Sequence, residues 1–201
     1  RDMKDFILSY YYPKGQYFLV SFPKTGRTWL IHMVNQMKEQ SNHMLKKEKY
    51  FIFNEHDNSE IILEDGARNN PLDIFKFTSR FRYKRGKVVF LVRDPRDVIV
   101  SHFHQVTKRA KNPFVFNSIS EFLKDDILGF KRIIHFYNLW QREKDTPQDF
   151  LLVSYENLIN DGIQELQRIN DFLEINISKD SIRYIYEESS ASKMREKEKN
   201  N

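Results

Sequence analysis

The sequence contains no cysteine among its 201 residues. This absence excludes disulfide bonds, zinc sites built on thiolates and a cysteine nucleophile. It also fits a reducing compartment, and we expect a cytoplasmic protein. No apolar run approaches the roughly 20 residues that a membrane-spanning helix needs. We therefore expect neither a membrane span nor a signal peptide.

The sequence also lacks a strong charge of one sign. Its 33 basic and 28 acidic residues leave a net charge of +5. Such an excess favours anionic ligands but does not require nucleic acid. No basic repeat, RNA-binding signature or zinc-ligand spacing is visible. We therefore expect no nucleic-acid partner.

What the sequence does contain is a series of short apolar runs, each followed by a helical pattern. The length and the hydrophobic content of 40% suffice for one compact domain with a core. The runs at 17–21, 50–53, 87–92 and 150–153 predict strands. Six helices are predicted as well. The first runs from the turn after the first strand to Met37, the second from the Asp94 cap to about Lys108, and the third from Ser118 to about Leu128. The other three cover 130–143, the residues after a cap at Asp161, and 178–188. We expect an α/β domain over residues 1–201.

The stretch from Phe22 to Thr28 joins the first strand to the first helix. The first N–H groups of a helix, with the positive end of its dipole, form an anion site. Gly26 lets the backbone approach a ligand, Lys24 adds a positive charge, and Thr25 and Thr28 add hydroxyls. The turn predicts a cradle for a phosphate or a similar oxyanion. It lacks the G-x-x-x-x-G-K-[ST] pattern of nucleoside-triphosphate loops, and an ordinary turn with solvent-facing Lys and Arg is the alternative.

A second candidate anion site follows the strand at 87–92. Arg93 comes directly after this strand, and Asp94-Pro95 is typical of a helix start. Ser101 lies two turns into the helix, on the same side as Asp94 and Asp97 by helical spacing. An Arg at a strand end near a hydroxyl suits an anion; the alternative is an Arg paired with a local carboxylate.

His56 follows the predicted second strand and is a candidate general base. Polar residues directly after a strand lie at the edge of the sheet where open α/β folds bind ligands. The pKa of an unperturbed His is near neutrality, which suits proton abstraction. A surface loop residue is the alternative.

Three segments, in order, resemble the sulfotransferases that use 3′-phosphoadenylyl sulfate (PAPS). The first is FPKTGRTW at 22–29, which is similar to the family's 5′-phosphosulfate loop. The second is LVRDPRDV at 91–98 with SHF at 101–103, similar to the 3′-phosphate segment. The third is LVSYENL at 152–158, similar to the family's Y-E-D-L stretch. The resemblance spans roughly residues 17 to 194 and implies a three-layer, P-loop NTPase-like sulfotransferase fold with a central parallel sheet flanked by helices.

The resemblance implies a set of binding residues. Loop N–H groups with Thr25 and Thr28 would hold the 5′-phosphate and the sulfate, and Lys24 would be the electrophilic catalyst. Arg93 and Ser101 would bind the 3′-phosphate. The cofactor-binding set that the resemblance implies is Lys24, Thr25, Gly26, Arg27, Thr28, Trp29, Arg93, Ser101, Tyr155 and Ser189. Trp29 and Tyr155 would lie near the adenine; core aromatics are the alternative for both.

The resemblance also implies the reaction. A sulfuryl group would pass in line from PAPS to a hydroxyl or amine of a small-molecule or glycan acceptor, leaving 3′-phosphoadenosine 5′-phosphate (PAP), with no metal. His56 would be the base, with Glu55 as the alternative. Two other functions stay open: a P-loop-type nucleotide kinase and a nucleotide-binding module without catalysis.

The sequence departs from the family's pattern at two places. Arg27 stands where many members have Thr, which is compatible with a loop that uses its backbone. The chain stops in KMREKEKNN without the Arg-Lys-Gly loop that closes on the 3′-phosphate. The chain also begins at Arg1, not Met. We therefore expect a single sulfotransferase domain over residues 1–201, shortened at both ends; a C-terminal loop that is disordered or absent is the alternative.

Overall fold

A parallel sheet forms the centre of the structure, a computed structural model that describes residues 16–41, 52–55, 83–110 and 113–189. Within these ranges, four strands pair in the order β2-β1-β3-β4, and every pair is parallel. The strands are β1 (Gln16–Ser21), β2 (Ile52–Glu55), β3 (Gly86–Val92) and β4 (Asp149–Ser154). The second strand therefore lies two residues later than the sequence predicts.

Seven α-helices lie within the described ranges. They are α1 (Arg27–Gln40), α2 (Pro95–His104), α3 (Ile119–Lys124), α4 (Phe130–Glu143), α5 (Tyr155–Asn160), α6 (Gly162–Phe172) and α7 (Lys179–Glu188). A π-helical segment, Gln105–Arg109, follows α2 directly.

The sheet has a hydrophobic core on each face. Alternate residues of a strand point to opposite faces, so Tyr17 and Leu19 enter one core while Phe18 and Val20 enter the other. The first core contains residues of α1, α6 and α7, and the second contains residues of α2, α3 and α4. The predicted α/β class, with a parallel sheet between two layers of helices, is confirmed.

The strand order decides where a ligand would bind. From β1 the chain passes to β2 on one side, and then returns to place β3 on the other side of β1. Such a reversal leaves a crevice between the carboxyl ends of the two central strands, where open α/β sheets bind ligands. Ser21 pairs with Leu91 near those ends. The loops after β1 and β3 are therefore neighbours.

One predicted helix changes its type, and one predicted helix boundary is wrong. The helix expected to reach about Lys108 is α-helical to His104 and continues to Arg109 as the π-helical segment. The helix expected to reach Leu128 ends at Lys124. Asp125 is extended, and its carboxylate accepts hydrogen bonds from the N–H groups of Ile127 and Leu128 at 2.9 and 2.7 Å. This local bonding competes with the helix and ends it.

The predicted cap at Asp161 is also not formed by its side chain. Asp161 occupies the N-cap position of α6, but its side chain accepts no capping hydrogen bond there. Ser118 does cap α3 as predicted, because its Oγ accepts from the N–H of Glu121 at 3.2 Å.

Candidate functional site

The turn after β1 has a conformation that few residues adopt. Lys24 has a φ of 71° and Gly26 a φ of 93°, both in the left-handed half of backbone space. A Cβ on Gly26 would lie 2.5 Å from Cδ2 of Tyr155, closer than two carbons can approach. Position 26 therefore requires glycine for two reasons: its φ is positive, and the Tyr155 ring leaves no room for a Cβ. Strain at Lys24, which has a side chain, is typical of functional turns.

The start of α1 is open to an anion. Gly26 is the N-cap, no side chain caps the helix, and its first turn contains no acidic residue. The start of α2, in contrast, has the Asp94 carboxylate as its cap and Asp97 in its first turn. The positive end of the α1 dipole thus meets no carboxylate of its own helix, which suits a phosphate or sulfate group.

Lys24 and Thr25 have different roles in the turn. The Lys24 ammonium donates to Oε1 of Gln105, in the π-helical segment, at 3.3 Å. A neutral amide does not cancel the positive charge of the ammonium. Thr25 is fully buried, and its hydroxyl donates to the carbonyl of Phe22 at 2.9 Å. In this arrangement Thr25 stabilises the turn, while Thr28 is exposed.

Arg93 lies against this turn. Its Nη1 donates to the carbonyl oxygen of Lys24 at 3.4 Å, and its Nη2 contacts Oδ2 of Asp97 at 3.4 Å. Both bonds are long and therefore weak, and no described residue accepts a hydrogen bond from Nε. The guanidinium carbon lies 4.4 Å from the centre of the Tyr155 ring. The two predicted anion sites are thus adjacent, and Arg93 keeps donors for a ligand.

The backbone at Arg93 is held by two side chains from other elements. The Tyr137 hydroxyl, on α4, accepts from the Arg93 N–H at 3.2 Å and donates to the Arg93 carbonyl at 2.9 Å. The Glu156 carboxylate accepts from the N–H of Asp94 at 2.8 Å. Burial raises the pKa of Tyr137 to about 12. No pattern in the sequence indicates these contacts, because helical spacing places Tyr137 only on the apolar face of a helix.

Trp29, Tyr155 and Ser189 meet beside the turn. The rings of Trp29 and Tyr155 touch edge to face, with centroids 5.8 Å apart. Nε1 of Trp29 donates to the Ser189 carbonyl, and the Ser189 hydroxyl donates to Oε1 of Gln36 at 2.9 Å. Ser189 is fully buried. Both of these contacts are to α1, so its predicted role towards a cofactor stays a prediction.

The remaining predicted residues lie further along the same edge or beyond the described ranges. Ser101 is partly buried on α2, four residues after Asp97 and thus on the same side of the helix. Glu55 ends β2 and pairs with Val20. His56 lies outside the described residues. The identity of the base therefore stays a prediction.

The part of the chain that the structure describes contains neither a candidate metal site nor a helix suited to cross a membrane. No group of three or more acidic or histidine side chains in that part could hold a metal ion. No helix within the described ranges combines the length and the apolar character that crossing a membrane requires.

Comparison with known proteins identifies the family. The profile of the sulfotransferase domain matches residues 14–201. The chain belongs to the sulfotransferase family. Among curated sulfotransferases, mouse sulfotransferase 2A1 is 29% identical over 195 residues, covering 91% of this chain and 67% of that protein. The guinea-pig (Cavia porcellus) 3-beta-hydroxysteroid sulfotransferase is 27% identical, covering 90% of this chain and 67% of that protein.

Solved sulfotransferase structures share the fold. Mouse sulfotransferase SULT7A1, solved with PAP, superposes with a TM-score of 0.63 at 20% identity, covering 89% of this chain and 65% of that one. Retinol dehydratase, solved with androsterone and inactive cofactor PAP, gives 0.58 at 18% identity, covering 92% of this chain and 67% of that one. The P-loop-like sulfotransferase fold is confirmed. The chain spans about two thirds of the length of these relatives.

Proposed function

We propose that this protein transfers a sulfuryl group from PAPS to a hydroxyl or amine of an acceptor. The observation that carries the proposal is the 3.4 Å contact between Nη1 of Arg93 and the Lys24 carbonyl. It means that two groups of positive donors, from the loops after β1 and β3, adjoin at one edge of the sheet. A nucleotide with phosphates at both its 5′ and 3′ positions matches two adjoining anion sites.

The residues of each site fit one end of this nucleotide. The N–H groups of Gly26, Arg27 and Thr28 at the open start of α1 would bind the 5′-phosphate and the sulfate. Arg93 would bind the 3′-phosphate through a charge-assisted pair, with Ser101 as an added donor. Trp29 and Tyr155, which touch each other beside Gly26, would pack near the adenine.

Lys24 would supply the electrostatic part of catalysis. PAPS supplies the sulfuryl group, and PAP is the product. As the sulfur–oxygen bond breaks, the Lys24 ammonium would stabilise the negative charge that grows on the bridging oxygen, a contribution typically worth ~10²–10³ in turnover. His56, or else Glu55 at the end of β2, would accept the proton of the acceptor. None of these steps requires a metal.

The relatives support a small acceptor. The guinea-pig relative is named for hydroxysteroids, and retinol dehydratase was solved with androsterone. We therefore propose a small hydroxylated acceptor for this protein as well. That residues 1–201 form one domain, and that the protein is cytoplasmic, remain predictions from the sequence.

The experiment measures transfer directly. The intact protein is incubated with ³⁵S-labelled PAPS and a panel of hydroxyl and amine acceptors that includes steroids, and labelled product and PAP are quantified. We expect labelled product and an equal amount of PAP. PAP binding without any labelled product across the panel would favour the nucleotide-binding module instead. Phosphoryl transfer from ATP with Mg²⁺, without transfer from PAPS, would favour the kinase.

A further inference from the structure

Tyr137 makes an unusual pair of hydrogen bonds. Its single hydroxyl accepts from the N–H and donates to the carbonyl of the same residue, Arg93, at 3.2 and 2.9 Å. Tyr137 lies on α4, 44 residues along the chain from Arg93. The contact therefore joins the helix layer to the loop after β3.

The position of Arg93 explains why this contact matters. Arg93 follows the last residue of β3, Val92, which pairs with Ser154, and precedes Asp94, the N-cap of α2. Its peptide groups are therefore at a junction where the regular bonds of a strand or a helix end. Partly buried backbone groups need a partner, and the Tyr137 hydroxyl provides one for each. This fixes the peptide from which the guanidinium projects.

Tyr137 is itself well held. Its ring packs edge to face on Phe90 and lies tilted against Phe136, with ring centroids 6.2 Å apart in each case. Burial raises the pKa of Tyr137 to about 12, so the hydroxyl is protonated near neutral pH and donates to the Arg93 carbonyl.

We propose that Tyr137 is a positioning residue for the 3′-phosphate: it orients Arg93 through the backbone and touches no part of the nucleotide. The inference rests on the proposed function, in which Arg93 binds that phosphate. The inference predicts an effect on one end of the nucleotide only. Loosening the Arg93 peptide should weaken binding of a ligand with a 3′-phosphate and leave binding of the 5′ end at the α1 cradle unchanged.

The structure also shows how the fold would tolerate loss of the hydroxyl. Tyr137 and Arg93 line a cavity of about 340 Å³, together with Pro95, Phe150 and Leu152 among others. Solvent that enters this cavity would satisfy the two peptide groups in Tyr137→Phe, but a mobile water would not hold them in one orientation as the Tyr137 hydroxyl does. Glu156 would still hold the next N–H, that of Asp94. Tyr137→Phe is therefore expected to fold, with a less ordered Arg93.

The test compares two nucleotides that differ only in the 3′-phosphate. The dissociation constants of PAP and AMP are measured by titration calorimetry for the wild type, Tyr137→Phe and Tyr184→Phe, and a thermal melt verifies folding. Tyr184 is a matched control because it is 59% exposed on α7. For Tyr137→Phe we expect PAP to bind about tenfold more weakly, which is the size of one lost hydrogen bond. The dissociation constant of AMP should change by less than about twofold, because the 5′ site is untouched. The control should match the wild type.

Three outcomes would overturn the inference. If Tyr137→Phe prefers PAP over AMP as strongly as the wild type does, the hydroxyl does not position Arg93. An equal loss for both nucleotides would show a general structural role instead. If the wild type itself binds PAP no better than AMP, the proposed function fails, and the inference fails with it.

Discussion

Lys24 is the residue whose surroundings say most about the chemistry. Its backbone is held in a left-handed conformation, its carbonyl accepts from Arg93, and its ammonium reaches Gln105. The sequence indicates Lys24 and Arg93 separately, because each follows an apolar run. It cannot indicate Gln105 or Tyr137, because their contacts join residues 81 and 44 positions apart. Local patterns find the residues that carry charge, but contacts across the chain orient them.

Replacing Lys24 by Ala should reduce turnover far more than binding. The ammonium acts on charge that develops during transfer, so we expect kcat to fall by ~10²–10³. The affinity for PAP should fall much less, since the backbone N–H groups of the cradle remain. Initial rates with labelled PAPS, together with PAP titrations, separate the two effects.

The matched control is Lys144→Ala, which removes an equal charge from an exposed position after α4. It should leave kcat unchanged. If Lys24→Ala retains wild-type turnover, Lys24 is not the electrophilic catalyst.

At the scale of elements, the starts of α1 and α2 differ in how they are capped. The α1 start has Gly26 and no acidic side chain, whereas Asp94 caps α2 by accepting from the Arg96 N–H at 2.9 Å. The sequence predicts both, because the Asp-Pro pair and the Gly-containing turn are local signals. It misplaces the end of α3, because the Asp125 carboxylate accepts from the N–H groups of Ile127 and Leu128 and so competes with the helix, which apolar spacing does not show.

Replacing Gly26 by Ala should disrupt the cradle. Alanine would have to adopt a φ of 93° and place its Cβ 2.5 Å from Tyr155. The left-handed backbone alone costs roughly 1–2 kcal/mol for an L-residue. We expect a lower free energy of unfolding in urea and at least about tenfold weaker PAP binding.

A second variant separates the two causes. In a Tyr155→Ala background the overlap with the ring is gone but the backbone strain persists, so Gly26→Ala should lower the free energy of unfolding by less there than in the wild type. A Gly26→Ala protein as stable as the wild type would contradict the conformation described for this turn.

Replacing Asp94 by Ala should have an effect that depends on pH. The hydrogen bond from the Arg96 side chain, with that from the Arg96 N–H, lowers the pKa of Asp94 to about 2. A carboxyl whose pKa is lower in the folded state stabilises the fold above its ordinary pKa, near 3.9, and loses that effect as the pH falls to about 2. The melting temperature of Asp94→Ala should therefore be below that of the wild type at pH 6, with a smaller difference at pH 2.

Asp126→Ala is the control, since the Asp126 side chain is 83% exposed and pairs only with a surface lysine among the described residues. It should melt like the wild type at both pH values. If the difference in melting temperature between Asp94→Ala and the wild type is larger at pH 2 than at pH 6, the Asp94 carboxylate does not stabilise the folded state in this way.

At the scale of the whole molecule, the order of the strands creates the site. The α/β class and most strands can be predicted from the sequence, because apolar runs and helical periodicity are local. The strand order cannot, since it depends on which strands pair across the chain. It places β3 next to β1, and this puts the two anion-binding loops together. The family's motifs point to the same arrangement only by resemblance.

A ligand that binds both loops should stabilise the whole domain. PAP at about 100 times its dissociation constant should add ~2.7 kcal/mol to the free energy of unfolding, independent of Mg²⁺. For a domain of this size this corresponds to a rise of roughly 5–10 °C in melting temperature. Thermal melts with PAP, and with ATP plus Mg²⁺ as the comparison, measure it. A larger shift with ATP and Mg²⁺ would favour a kinase.

The most direct measurement is a titration of PAP and AMP into the wild type and Arg93→Ala. If the loops after β1 and β3 hold opposite ends of one nucleotide, the wild type will bind PAP at least about tenfold more tightly than AMP, because a charge-assisted hydrogen bond contributes ~1.5–3 kcal/mol. Arg93→Ala will lose that preference while still binding AMP like the wild type. An Arg93→Ala protein that prefers PAP as strongly as the wild type would contradict a 3′-phosphate site at Arg93.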